Sequence, residues 1–293
     1  MSMNQPLVTV WLPTCNRLSL LKRAVDSVLS QSYENIELFI VDNGSTDGTS
    51  EYLTQLALDH NNVKYHCFSE NKGACAARNF AILNGTGLLA TGLDDDDEFL
   101  PNRVESLVES FEPEFSFVCS SYAWDYGKYR KHLLNTNKVI ELGSQLNFNQ
   151  ASNQVLTYRK RLIEVNMFDV DIISSQDWDI WTRLIITFGK AKRIAEPSYI
   201  VHTAHDKPRI TDSLNNKVKG LEQFYSRYKH HMTDENKKCF AFLLHYSRGD
   251  KIRLNDVKRF FCKPIAYKLC KAWLASQFPS LAKKRLNYLK KDI

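Results

Sequence analysis

The 293-residue chain is 43% hydrophobic and 25% charged, with 11 Gly and 8 Pro. That balance is ordinary for a soluble globular protein, and the length predicts one large domain or two smaller ones. The seven cysteines are odd in number and scattered, with no Cys-x-x-Cys pair, which argues against a disulfide framework or a structural zinc site and fits a reducing cytoplasm. No apolar run reaches the length of a membrane span, and the N-terminus has no basic-then-apolar leader pattern. The net charge of +6 is unevenly spread: from Lys251 onward twelve Lys and Arg stand against Asp256 and Asp292, a local +10 that leaves the first 250 residues at −4.

In chain order, Leu7–Pro13 is a β-rich apolar run that reads as a buried strand, followed by the turn Thr14-Cys15-Asn16-Arg17. Leu18, Leu21, Ala24, Val25, Val28 and Leu29 then recur at helical spacing. A second strand, Ile36–Val41, ends in the turn cluster Asp42–Asp47, and a third, Val63–Phe68, leads through Asn71-Lys72-Gly73 into a helix over 74–83. The apolar run Gly87–Leu93 reads as a fourth strand. Strands and helices alternating at this spacing predict an α/β, Rossmann-like domain with a mainly parallel sheet flanked by helices.

Asp94, Asp95, Asp96 and Asp97 follow the fourth strand directly, and Pro101–Val108 reads as a helix with proline in its first turn. The four carboxylates are therefore expected at a strand-to-helix turn, where open α/β sheets bind ligands. Adjacent negative charges repel, and an all-oxygen donor set suits Mg²⁺ or Mn²⁺ shared with substrate phosphates; a solvated acidic turn is the plain alternative. The polar turns after the first three strands converge on the same sheet edge. No Gly-x-Gly-x-x-Gly or Walker sequence is present, so side chains and a metal would have to hold any nucleotide.

Phe115–Trp124 reads as a further strand, and 135–160 is weakly patterned, suited to acceptor-binding loops. Ser174–Ile186 reads as a Ser-capped helix with Trp178, Trp181, Leu184 and Ile185 on one face and Asp177 and Asp179 in its first turn. Acidic residues there fit simple capping of the helix dipole; a carboxylate general base whose pKa is raised by the tryptophans is the functional alternative. The loop after a strand ending near Val201 carries His202, His205, Lys207 and Arg209, suited to metal or diphosphate binding. Residues 213–293 interleave helical apolar spacing (Val257, Phe260, Phe261, Ile265, Leu269, Trp273) with Lys and Arg. Such helices fit an anionic lipid surface, or pack one face on the catalytic domain. No nucleic-acid-binding module accompanies the charge, so no nucleic acid is expected as partner.

Five stretches occur in the order seen in family 2 glycosyltransferases: Leu7–Arg17, Ile40–Asp47, Asn71–Asn79, Leu93–Asp97 and Gln176–Asp179. Over residues 5 to 212 the chain resembles the bacterial members that build lipopolysaccharide, O-antigen or capsule. The resemblance implies a GT-A catalytic domain over 1–212, a basic helical region over 213–293, and inverting transfer from a nucleotide sugar, most readily a UDP-hexose. The acceptor would be a glycan or a polyprenyl-diphosphate-linked saccharide, met in the cytoplasm or at the inner membrane. Pro13, Thr14, Asn16, Arg17, Asp42, Asn43, Lys72, Arg78, Asp94 and Asp95 would bind the nucleotide sugar. Asp94 and Asp96, with His205, would hold Mn²⁺ or Mg²⁺, and Asp177 would be the catalytic base. Three positions depart from the family pattern: Asn43 stands where Asp is common, Gln176 where Glu is usual, and Cys15 where an aromatic is common. A non-catalytic sugar-nucleotide or membrane-surface binding protein and a sugar-phosphate nucleotidyltransferase are the alternative readings.

Overall fold

A computed structural model describes residues 5–127, 129–151, 154–203 and 214–281. Strands β1 (Val8–Thr14), β2 (Ile36–Asp42), β3 (Val63–Cys67) and β4 (Leu89–Gly92) form a parallel sheet in the order β3-β2-β1-β4, closed by antiparallel β9 (Thr157–Tyr158). Every residue of β1, β2 and β4 is buried, which is why these strands read as mainly apolar runs, with Thr9, Glu37 and Thr91 among the buried polar exceptions. Helices α1 (Leu18–Leu29), α2 (Thr49–Asp59) and α3 (Ala74–Asn84) make the crossovers. Val8, Val10, Leu12, Leu38 and Ile40 pack on Leu21, Val25 and Val28 in one core, while Trp11, Phe39 and Val41 pack with Ala77, Ala81 and Ile82 in another.

The register places Thr14 beside Asp42 and Asp42 beside Cys67, so the strand ends are level. From β1 the chain runs outward to β2 and β3 and then returns to β1's other side as β4. That reversal opens a crevice beyond the ends of β1 and β4.

A second sheet follows, in the order β5-β10-β6-β7 with β8 also on β10: β5 (Glu98–Phe99), β6 (Val118–Asp125), β7 (Arg130–Leu133), β8 (Lys138–Ile140) and β10 (Ala191–His202). β6 and β10 are parallel, with a register break around Pro197, which has no N–H to give the ladder. β5 corrects the sequence expectation at the aspartates. Asp94–Asp97 lead into a two-residue strand that pairs with Tyr199 and Ile200, and α4 (Arg103–Glu109) starts two residues beyond Pro101. Arg103 is buried with its guanidinium over the rings of Phe99 (4.7 Å) and Tyr199 (4.9 Å), donating to Ser120 and Ser198, and so ties β5, β6 and β10 together.

Helices α5 (Leu142–Asn147), α6 (Arg159–Glu164) and α7 (Gln176–Phe188) complete this half. Beyond it, α8 (Leu214–Tyr228) and α9 (Asp234–Ser247) pack directly on α7 and α5. Trp178 stacks on Phe224 with ring centroids 4.0 Å apart, and Asp179, 1% exposed, accepts from Arg183, Arg227 and Tyr228. Gly220 is a packing requirement: a Cβ there would lie 2.5 Å from the Ser174 carbonyl oxygen. Helices α10 (Leu254–Phe260) and α11 (Ala266–Gln277) form a small further core with α9, in which the Cys239 and Cys262 sulfurs lie 3.3 Å apart. Among the described residues no helix is long and apolar enough to cross a membrane.

Candidate active site

The crevice at the ends of β1 and β4 holds a cavity of about 500 Å³. Pro13, Thr14, Cys15 and Arg17 line it from the β1 end and Asn43 from the β2 end. Asn71, Gly73, Ala74 and Arg78 line it from the start of α3, Asp94–Asp97 from the β4 end, and Ser174–Asp177 from the start of α7, with Gln154 and Phe168 between. Of the residues singled out in the sequence, Pro13, Thr14, Arg17, Asn43, Arg78, Asp94, Asp95, Asp96 and Asp177 thus meet in one cavity.

Asn16, Asp42 and Lys72 are absent from the lining; Asp42 is buried, whereas Asn16 and Lys72 are exposed on the neighbouring loops. Asn16 adopts a left-handed conformation (φ 55°); its side-chain oxygen accepts from the Thr46 amide (2.8 Å) and its own amide donates to Ser45 Oγ, tying the first loop to the second. Buried Asp42 accepts from the Ser45 amide. The Lys72 ammonium lies 4.9 Å from the Phe68 ring centre, while its backbone amide donates to Asn43 Oδ1. His205, like Lys207 and Arg209, lies outside the described residues. His202 ends β10 with Nε2 2.9 Å from Glu98 and is absent from the cavity lining; burial holds its pKa below the usual histidine value, against the pull of Glu98.

The aspartates divide their work. Asp94 pairs with Arg78 (2.8 Å), whose guanidinium rests 5.3 Å over the Phe168 ring centre. Asn79 fixes that phenylalanine by bonding both its amide (2.9 Å) and its carbonyl (2.7 Å). Asp95 accepts from Thr14 Oγ1 (2.9 Å) and pairs with Arg17 (3.0 Å), which also approaches Asp96 (3.4 Å). Burial pushes the Asp95 pKa up to about 6; Arg17 opposes the rise and Asp96 adds to it. Asp97 accepts from the Tyr199 hydroxyl (2.8 Å), so the fourth carboxylate anchors the turn to β10. Gly92 makes this geometry possible: a Cβ there would lie 2.1 Å from Trp11 Nε1 and 2.5 Å from Gln154 Oε1.

The start of α7 corrects the expected serine cap. Ser175 has φ 64° and its side chain makes no capping bond; Asp177 stands two residues on, in the first turn. Burial pushes the Asp177 pKa up to about 6; the Trp178 amide and Arg78 oppose the rise, and Asp94 adds to it. The tryptophans contribute differently from expectation. Trp178 faces α8 and α9, whereas fully buried Trp181 backs the cavity through Phe168, 5.8 Å away between ring centres. Gln154 and Phe168 are lining residues that carry no sequence signal, since each is held at the cavity by long-range contacts, Gln154 to Asp94 and Phe168 to Asn79.

The family model for Glycosyl transferase family 2 matches residues 9–169, more than half of the chain. The chain belongs to this family. Among relatives of this family 2 glycosyltransferase, the "Putative colanic acid biosynthesis glycosyl transferase WcaA" of Escherichia coli K12 is 32% identical over 268 residues, covering 85% of this chain and 91% of that protein. Solved structures with the same GT-A fold include S. aureus TarS 1-349 in complex with UDP-GlcNAc, at TM-score 0.64 and 14% identity, covering 92% of this chain and 81% of that one. The mannosyltransferase PcManGT from Pyrobaculum calidifontis, in complex with GDP-Man and Mn²⁺, aligns at TM-score 0.61 and 19% identity over 98% of this chain and 81% of that one.

Carboxylate oxygens from Asp94 and Asp96 on one wall fit a hard divalent cation that takes its remaining ligands from a diphosphate. Among the described residues no group of three His, Cys, Asp or Glu is arranged to hold a metal by protein ligands alone.

Proposed function

We propose that this family 2 glycosyltransferase is an inverting, divalent-metal-dependent hexosyltransferase. It would use a UDP-hexose donor and a hydroxyl of a glycan or polyprenyl-diphosphate-linked saccharide, in assembly of a bacterial surface polysaccharide such as lipopolysaccharide, O-antigen or capsule. The observation that carries the proposal is the meeting of Asp94, Asp96, Arg78 and Asp177 in one cavity at the sheet's switch point. Similarity to a relative named for colanic acid biosynthesis supports the polysaccharide context. The complexes of TarS with UDP-GlcNAc and of PcManGT with GDP-Man and Mn²⁺ support a nucleotide sugar and a cation.

In this reading Pro13, Thr14, Arg17, Asn43, Arg78, Asp94 and Asp95 receive the nucleotide sugar, with Asn16, Asp42 and Lys72 on the neighbouring strand end and loops. Asp94 and Asp96, with His205 as a further proposed ligand, would hold Mn²⁺ or Mg²⁺, which would supply positive charge to offset that on a departing diphosphate. Arg78 adds a fixed positive charge on the same wall. Asp177 takes the proton of the acceptor hydroxyl as its oxygen attacks the anomeric carbon from the face opposite the diphosphate, inverting that centre. A carboxylate with a pKa of about 6 is mostly ionised at neutral pH and more basic than an ordinary aspartate. Residues 1–212 form the catalytic region. The basic 213–293 region both braces α7 and presents a surface for peripheral association with the cytoplasmic face of the inner membrane.

The test is Asp177→Asn, which keeps shape and removes the base. Nucleotide binding by calorimetry is expected within about twofold of wild type, and sugar transfer is expected to fall by roughly 10²–10⁴-fold. Retained transfer would sink the proposal, and loss of nucleotide binding together with transfer would make Asp177 a structural residue.

A further inference from the structure

We propose that Asn149 is a positioning residue that holds the Asp177 carboxylate in place for proton transfer; the inference rests on Asp177 as the base. Asn149 follows α5, in the weakly patterned stretch, and its Nδ2 donates to Asp177 Oδ2 at 2.8 Å. The orientation of its amide is dictated by its neighbours. Asn149 Oδ1 accepts from the Ala151 backbone amide (3.1 Å) and from Gln145 Nε2 (3.3 Å). A backbone N–H can only donate, so the oxygen must face Ala151 and the amino group must face Asp177.

The segment carrying Asn149 is itself held from two sides. Trp178, the residue after the base, donates its indole N–H to the Gln145 carbonyl (2.7 Å). Buried Gln145 uses Oε1 to accept from the Gln150 amide (2.9 Å). From α9, Asn236 Nδ2 donates to the Gly143 carbonyl and to Asn147 Oδ1, each at 2.8 Å. The end of α5 is thereby clamped between α7 and the C-terminal helices, and Asn149 transmits that fixed position to one carboxylate oxygen.

An amide suits this task better than a charge. Among the described residues, the charged and titratable groups that act on Asp177 from the surrounding elements are Arg78 and Cys75 on α3, Asp94 on the turn after β4, and Tyr122 on β6. A second cation beside Asp177 would strengthen Arg78's effect and leave too weak a base; a carboxylate would repel it into its protonated form. A neutral donor favours the ionised form modestly and fixes its rotamer.

The experiment is a ¹³C NMR titration of the full chain labelled with [γ-¹³C]aspartate, the Asp177 signal being the one lost in Asp177→Asn. In Asn149→Ala its midpoint is expected to move upward by roughly one pH unit, because a hydrogen bond to the charged form is lost. UDP affinity should stay within about twofold, and transfer, once measured in wild type, should slow by about tenfold or more. Should Asn149→Ala fail to fold, Asn149→Ser is read in the same way, with a smaller upward shift. An unmoved midpoint in a folded variant overturns the inference. Asp177→Asn retaining transfer would instead overturn the assignment of the base, so the two failures are distinguishable.

Discussion

Replacing Arg17 by Met tests how the cavity manages its own negative charge. The guanidinium lies 3.0 Å from Asp95 and 3.4 Å from Asp96, and the Asp95 side chain is 8% exposed. Met keeps most of the aliphatic stem and removes the cation. At pH 7 wild-type Asp95, with a pKa of about 6, is mostly ionised and relies on Arg17 and Thr14. Without Arg17 the folded state must hold an unpaired carboxylate or take up a proton. Breaking a buried pair costs about 3–5 kcal/mol, and the partial exposure of Arg17 reduces this to roughly 1.5–3 kcal/mol. At pH 5 Asp95 is already mostly protonated in the wild-type fold, so the loss should shrink to about half or less.

The sign follows from linkage. The folded-state pKa of Asp95 lies above its unfolded value, so the ionised form destabilises the fold above pH 6. That penalty is relieved as the pH falls from about 6 toward the unfolded value near 4. Urea unfolding of both proteins at pH 7 and pH 5 reads the difference directly. Equal destabilisation at the two pH values would refute the account of Asp95 charge.

Gly92→Ala should be destabilising without touching a charged group. Its Cβ would overlap Trp11 Nε1 and Gln154 Oε1, an overpacking cost of roughly 1–3 kcal/mol, or a fall in Tm of several degrees by calorimetric scan; an unchanged Tm would contradict the packing described. The basic helical region should bind anionic vesicles. Phe261, Tyr267, Leu274 and Phe278 are each at least half exposed, alongside Lys263, Lys268 and Lys271, and each basic residue near such a surface adds about 1 kcal/mol. Co-sedimentation with phosphatidylglycerol vesicles that disappears at high salt is expected, and a protein left in the supernatant at low salt would refute docking.

The first half of the fold was legible because β1, β2 and β4 are buried on both faces and show it as mainly apolar runs. Their ends bring Thr14, Asn43 and Asp94 together because parallel strands present their ends on one edge, and the start of α3 adds Arg78. What escaped the sequence has local or distant causes. Glu98–Phe99 is too short to carry a period, so the aspartate turn read as leading straight into a helix. Ser175 looked like a cap because residue type does not reveal a left-handed backbone. Trp178 and Trp181 both suited a supporting role for Asp177, but Trp178 faces α8, a helix read only as part of the basic tail. Asn149 and Gln154 act through contacts 28 and 60 residues away, and no pattern within either segment encodes such a contact. Phe261 shared the apolar spacing of the tail with buried Phe260, yet stands 55% exposed.

The central claim is that Asp94–Asp97 and the β1 loop form a metal-assisted nucleotide-sugar site. Calorimetric titration with UDP, dTDP and GDP, each with and without Mn²⁺, tests it most directly. The account predicts that UDP binds and that its binding depends on Mn²⁺. Absence of binding by all three nucleotides, with the metal present, would contradict it.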